Sequence, residues 1–171
     1  VGVFMKKSFD LFIALYALIK LHAVYIPIDT EYPESRVEHM IALSGMDYII
    51  VSENIICSHR REKQIACNYV SLEKKEQNEV YPRKHEQICI LFTSGTTGVP
   101  NGVILSDKNI VNYIFNVQTF MKIGYDDVVL QQSSVGFDVF IEETYSALIS
   151  GGSLVIVDKK TLYDNSKMVN I

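Results

Sequence analysis

Ten residues in the middle of the chain, Thr93-Ser94-Gly95-Thr96-Thr97-Gly98-Val99-Pro100-Asn101-Gly102, carry three glycines and four hydroxyls. Glycine permits positive φ and close backbone approach, and hydroxyls turn their donors toward an oxyanion. This is the chemistry of a phosphate cradle. It fits neither the GxxxxGK[ST] nor the GxGxxG spacing, and no residue from Ile88 to Ser106 is charged. Backbone N–H groups and hydroxyls would have to hold the anion, with cations supplied from elsewhere. The same composition also makes an ordinary surface loop, which composition alone favours. A second constellation lies in Val135-Gly136-Phe137-Asp138. Asp138 stands where a helix should begin, a good position for a plain N-cap aspartate. Glu142, four residues later, shares its helical face. Glu143 falls on the next face and reads as scaffold.

The elements that must position these residues follow from period and punctuation. Val1 to Phe4 is a short apolar strand. Ser8 caps a helix running to about Leu21, with Asp10 in its first turn. That helix is apolar on nearly every side and is expected to lie buried between layers. Val24 to Ile28 reads as a central strand ending at Asp29. Pro33 opens a second helix through Leu43, stopped by Gly45, and Tyr48 to Val51 is the next strand. This βαβαβ order predicts an α/β fold, a layered and mostly parallel sheet with flanking helices. Ser52 to Gln87 is weaker, with a short strand expected at Asn68 to Leu72 and a charge-balanced, solvated connection over Glu73 to Glu86. Arg60, Arg61 and Lys63 form a small basic cluster that reads as surface. Ile88 to Phe92 is a continuous apolar strand running into the glycine-rich loop. A helix is expected from about Val139 to Ile149 and a strand from Ser153 to Val157, followed by a polar tail.

Composition narrows the function classes. The 171 residues suit one domain or a piece of a larger one, and 48% hydrophobic residues can bury a core. Sixteen Lys+Arg against twenty Asp+Glu give a net charge of −4, which argues against a nucleic-acid module with a broad basic face. Cys57, Cys67 and Cys89 form no CxxC pair and read as reduced thiols in a cytoplasmic protein. His39, His59 and His85 have no metal-ligand spacing, so no metal site is expected. Lys6 and Lys7 before an apolar run imitate a signal peptide, but Asp10 interrupts the run and no small-x-small cleavage site follows. Leu11 to Ile19 is far short of the ~20 residues of a membrane span. The first residue, Val1, suggests a start inside a longer reading frame.

Three ordered motifs resemble one family. Phe92 to Val103 resembles the signature loop of adenylate-forming enzymes, and most closely that of adenylation domains of non-ribosomal peptide synthetases. Leu18 to Asp29, continued by Glu31-Tyr32-Pro33 and Arg36, is similar to the family's early core motif and the helix after it. Phe137-Asp138, followed by Ala147-Leu148 and Gly151-Gly152, is similar to the motif that opens the amino-acid pocket. The motifs fall on an expected strand–loop–helix pattern.

The resemblance implies a partial AMP-binding domain over residues 1–171, with the C-terminal portion and its catalytic lysine absent, so no catalytic residue is expected in the chain. It implies that an amino-acid carboxylate attacks the α-phosphate of ATP, and that the acyl group passes to phosphopantetheine on a carrier domain. Thr93, Ser94, Gly95, Thr96, Thr97, Gly98 and Asn101 would hold the phosphates, with Mg²⁺ arriving through ATP. Asp138 would receive the substrate's α-ammonium group as a buried carboxylate, beside Phe137, Val139 and Glu142. An ionised Glu142 in a pocket needs a partner, which favours a basic amino acid; an exposed glutamate near a helix N-terminus is an equal alternative. The implied partners are peptidyl carrier and condensation domains, with no nucleic acid and no membrane. Alternatives are a non-catalytic remnant that acts as a binding module, and a stand-alone acyl-CoA or acyl-carrier ligase. Asp138 argues against the ligase, which has no ammonium to bind. Three positions depart from the family pattern: Asn101 for lysine, Phe140 for serine and His22 for glycine. A lysine about 4 Å from a phosphate charge is worth roughly 4 kcal/mol at an effective dielectric near 20, before desolvation.

Overall fold

A computed structural model describes residues 1–52, 64–67, 86–93 and 100–169. They divide into two compact units, Val1–Asp107 and Lys108–Ile171.

The first unit is built on a parallel sheet. Strands β1 (Gly2–Phe4), β2 (Ile26–Ile28), β3 (Ile49–Ser52) and β4 (Gln64–Cys67) lie in the order β2-β1-β3-β4, and every pairing is parallel. The crossover from β1 to β2 is α1 (Phe9–Lys20), whose cap is Ser8: its side chain accepts from the Leu11 N–H at 3.3 Å. Leu11, Phe12, Ala14, Leu15 and Leu18 are buried, whereas Phe9 is 65% exposed. The expectation of burial on all sides is therefore corrected to one broad buried stripe, because among the described residues only one face of α1 is covered.

The second crossover, α2 (Glu34–Ser44), begins after Pro33 and ends at Gly45. Gly45 takes φ 61 and its N–H donates to Ile41 O, the left-handed stop expected of a glycine there. Arg36 stacks its guanidinium 4.0 Å above the Tyr32 ring. Val37, Met40 and Ile41 of this helix pack with Ile26, Ile28, Ile49, Val51 and Phe92 in one apolar core.

β2 is central, as its unbroken apolar run requires. On its far side Tyr25 N–H donates to Ile88 O, and Ile90 N–H donates to Tyr25 O, each at 3.0 Å. This bridge fastens β5 (Gln87–Thr93) beside β2. β5 then pairs antiparallel with β6 (Asn101–Ser106). The expected strand–loop–helix is thus a strand–loop–strand hairpin, because Val103-Ile104-Leu105 extends the chain before any helix begins. Gly102, opposite Phe92 in the ladder, is closely packed: a Cβ there would meet Ile90 Cγ2 at 3.1 Å, so that side chain would have to shift by a few tenths of an ångström. The strand expected at Asn68 to Leu72 lies outside the described residues; β4, immediately before it, had not been anticipated.

The second unit holds α3 (Asp107–Met121, from its second residue), β7 (Val128–Gln131), α4 (Asp138–Ile149) and β8 (Ser153–Ile156). β7 and β8 run parallel, with α4 as their crossover. Gln118 Nε2 donates to Ser150 Oγ at 2.6 Å and ties α3 to α4. At the α4–β8 turn, Gly151 has φ 77, and a Cβ on Gly152 would stand 2.8 Å from Asp127 O. The tail read as polar contains two single-turn helices, α5 (Lys159–Leu162) and α6 (Asn165–Met168), each started by an aspartate, Asp158 and Asp164. No helix among the described residues is long and apolar enough to cross a membrane.

Candidate functional site

The glycine-rich loop is held at its two ends by the β5–β6 hairpin. Thr93 pairs directly with Asn101 in the ladder, so both exposed residues stand at the base of the loop. His39 Nε2, from α2, donates to the Pro100 carbonyl at 3.0 Å and fixes the returning strand one residue earlier. Ser94, Gly95, Thr96, Thr97 and Gly98 lie outside the described residues. The two ends present neutral hydroxyl and amide groups only. Beneath them Cys89 is fully buried, and burial pushes its thiol up to about 12. It is a packing residue of β5, not a nucleophile.

The second constellation is carried by the start of α4. Phe137, not Asp138, takes the N-cap position, with extended φ −105 and ψ 151 and no side-chain cap bond. Asp138 is the first helical residue, and its Oδ1 accepts from the adjoining Val139 N–H at 2.9 Å. The carboxylate expected to be buried is exposed, as are Phe137 and Val139 on either side. The plain N-cap reading of Asp138 is equally not what the helix displays, because a cap aspartate bonds the second or third helical N–H.

Glu142 is half-buried on the same face as Asp138. Tyr113, from α3, donates its hydroxyl to Glu142 Oε2. The phenol is pushed up to about 12, chiefly by that hydrogen bond, then by burial and by the charges of Glu142 and Asp138. It therefore stays protonated through the neutral range and acts as a donor. A phenol donor orients the carboxylate without cancelling its charge, and leaves further acceptor positions for a cation. Beside the pair lies an open groove of about 340 Å³ lined by Asn116, Val117, Phe120, Met121 and Glu142. Sequence reasoning had singled out none of these α3 residues. Their signal was present: positions 113, 116, 117 and 120 follow helical spacing and mix polar with apolar types.

Glu143 turns to the opposite task. Its Oε2 accepts from Gln131 Nε2 at 2.9 Å, Gln132 N at 3.1 Å and Ser133 N at 3.0 Å. Its Oε1 accepts from Ser133 Oγ at 3.2 Å. It is a scaffold residue, as its face predicts.

The model of the AMP-binding enzyme family matches residues 1–171. The chain belongs to that family. It is 30% identical over 174 aligned residues to gramicidin S synthase 2 of Brevibacillus brevis, covering 100% of this chain and 4% of that protein. To bacitracin synthase 2 of Bacillus licheniformis it is 30% identical over 159 residues, covering 93% of this chain and 6% of the synthase. Among solved structures, a four-domain nonribosomal peptide synthetase, holo-AB3403 bound to AMP and glycine, superposes with TM-score 0.81 at 18% identity, covering 99% of this chain and 13% of that one. The N-terminal subdomain of Klebsiella oxytoca NpsA, in complex with 3-hydroxyanthranilyl-AMSN, gives TM-score 0.73 at 22% identity over 92% of this chain and 40% of its own. At these identities the superpositions speak for the fold: a mixed α/β architecture shared with the N-terminal part of adenylation domains. The kinship expected from the three motifs is borne out, while the chain spans only 4% and 6% of the lengths of these two curated synthetases.

Proposed function

We propose that this AMP-binding chain supplies the phosphate loop and the ammonium-recognising residue of an amino-acid-activating adenylation domain. The observation that carries this reading is the hairpin that closes Thr93 against Asn101 around a Gly/Ser/Thr loop, in a chain matched from end to end by the AMP-binding family. Hydroxyl and backbone donors from Thr93 to Gly98 hold the β- and γ-phosphates of ATP and keep the α-phosphate in line for attack by the substrate carboxylate. The donor set is neutral and suits phosphate oxygens whose charge is balanced elsewhere. Mg²⁺, bound through ATP, supplies that positive charge. Asp138 takes the α-ammonium group and so selects amino acids over plain carboxylic acids. The attack expels pyrophosphate and leaves an aminoacyl adenylate, which then yields its acyl group to the phosphopantetheine thiol of a carrier domain with AMP as the leaving group; a condensation domain is a further partner.

Glu142 belongs to the substrate side of the same reading. Its charge, oriented by Tyr113 at the edge of an apolar groove, favours a side chain with an aliphatic stem and a cationic end, such as lysine or ornithine. Asn101 supports a second reading, a non-catalytic binding module, because it replaces a cation with a neutral amide.

The test separates the two. In the full-length protein, Thr96→Ala combined with Thr97→Ala raises the KM for ATP and cuts adenylation sharply, whereas Asn101→Lys lowers the KM for ATP and leaves amino-acid preference alone. Adenylation unchanged by the double substitution removes the loop from the phosphates. ATP binding without any amino-acid-dependent pyrophosphate exchange favours the binding module.

A further inference from the structure

We propose that Glu143 is a positioning residue for amino-acid recognition: it fastens the β7–α4 connection to the helix and so sets the place of the Asp138 carboxylate. The inference rests on the amino-acid-activation reading above. Four hydrogen bonds from three consecutive residues, Gln131, Gln132 and Ser133, converge on this one carboxylate at 2.9 to 3.2 Å. Two of the donors are backbone N–H groups at the end of β7, which would otherwise need water. The Gln131 side chain is fully buried, and Val135 further along the connection is 3% exposed. The connection then turns through Phe137 N–H to Ser134 O at 3.1 Å, directly into Asp138. Asp138 itself has little to hold it. Among the described residues its Oδ1 accepts a local bond from Val139 N–H, and the residues on both sides are exposed. The direction of its side chain is therefore set by where the connection delivers the first turn of α4. Glu143 contributes directly to that delivery, because its carboxylate joins the connection to the second turn of the same helix. Glu143 is half-buried, and a carboxylate satisfied by several donors keeps its geometry, since releasing it leaves those donors unpaired at once.

Amino-acid-dependent ATP–pyrophosphate exchange by the full-length protein tests the proposal, with KM measured for both substrates. Glu143→Gln keeps the shape but turns an amide donor toward N–H groups. It should raise the KM for the amino acid on the order of tenfold to a hundredfold and leave the KM for ATP unchanged. A purely structural defect lowers the active fraction instead and moves neither KM. The double variant Asp138→Ala with Glu143→Gln should be no worse than Asp138→Ala, because Glu143 acts through Asp138. If Glu143→Gln does not fold, Ser133→Ala removes the single bond to Oε1 and should raise the amino-acid KM a few-fold in the same direction. A wild-type amino-acid KM in the folded variant, beside a raised one in Asp138→Ala, overturns the proposal alone. Absence of amino-acid-dependent exchange in the wild type overturns the activation reading, and this proposal with it.

Discussion

His22 holds φ 54, a left-handed conformation that a side chain occupies at a cost of roughly 1 kcal/mol. The family pattern has glycine at this position, so the strain has a definite remedy: His22→Gly should stabilise the folded chain by about 0.5 to 1 kcal/mol, offset in part by the added freedom of the unfolded chain. Urea unfolding of the two proteins measures it, and a loss of stability would show that the imidazole makes up for its own backbone. Glu142 offers a prediction of function at the same scale. With Tyr113 as its hydrogen-bond donor, it needs no cation to be satisfied, yet it keeps a negative charge for one. Glu142→Gln should therefore shift preference from lysine or ornithine toward a neutral amino acid of similar length. Preference for a large apolar amino acid that the substitution leaves untouched would take Glu142 out of the pocket.

Among the elements, α1 shows how directly residues write structure. Ser8 supplies its first bond, and Ser8→Ala should cost about 1 kcal/mol in chemical denaturation; no change would mean that water caps the helix equally well. β5 makes a chemical prediction: with the Cys89 thiol buried and pushed up to about 12, iodoacetamide at pH 8 should leave Cys89 unlabelled in the native chain and label it in denaturant. Native labelling, read by mass spectrometry of the tryptic peptide, would mean that β5 opens. Elements with strong local punctuation were legible in advance: Ser8 and Gly45 act within a few residues, and the apolar runs of β2 and β5 can be read from the sequence itself even though their strand partners are distant. β4 and β7 have four residues each, and their pairing is decided by distant strands rather than by their own period. β6 was hidden by the glycine at its start, and the groove residues of α3 by a helix whose buried positions are only Ile110 and Ile114. The Tyr113–Glu142 bond spans 29 residues, a distance at which no spacing rule operates. Asp138 and Glu142 were legible as residues, but their exposure and partners were not, because those depend on how α4 is delivered by its preceding connection.

For the whole molecule, the central claim is that one family domain uses a charge-free loop for nucleotide phosphates and an aspartate at a helix start for the substrate's ammonium group. The loop falls in Val1–Asp107 and the aspartate in Lys108–Ile171, so each half of the claim has its own substrate and its own kinetic constant. The most direct measurement is ATP–pyrophosphate exchange by the full-length protein across the standard amino acids and ornithine, comparing wild type with Asp138→Ala. Exchange should depend on an amino acid, and Asp138→Ala should raise the amino-acid KM by about 2 to 3 kcal/mol, the cost of leaving an ammonium unpaired, with the KM for ATP unmoved. Exchange driven equally well by a carboxylic acid lacking the amino group, or an amino-acid KM that Asp138→Ala leaves unchanged, would contradict the account.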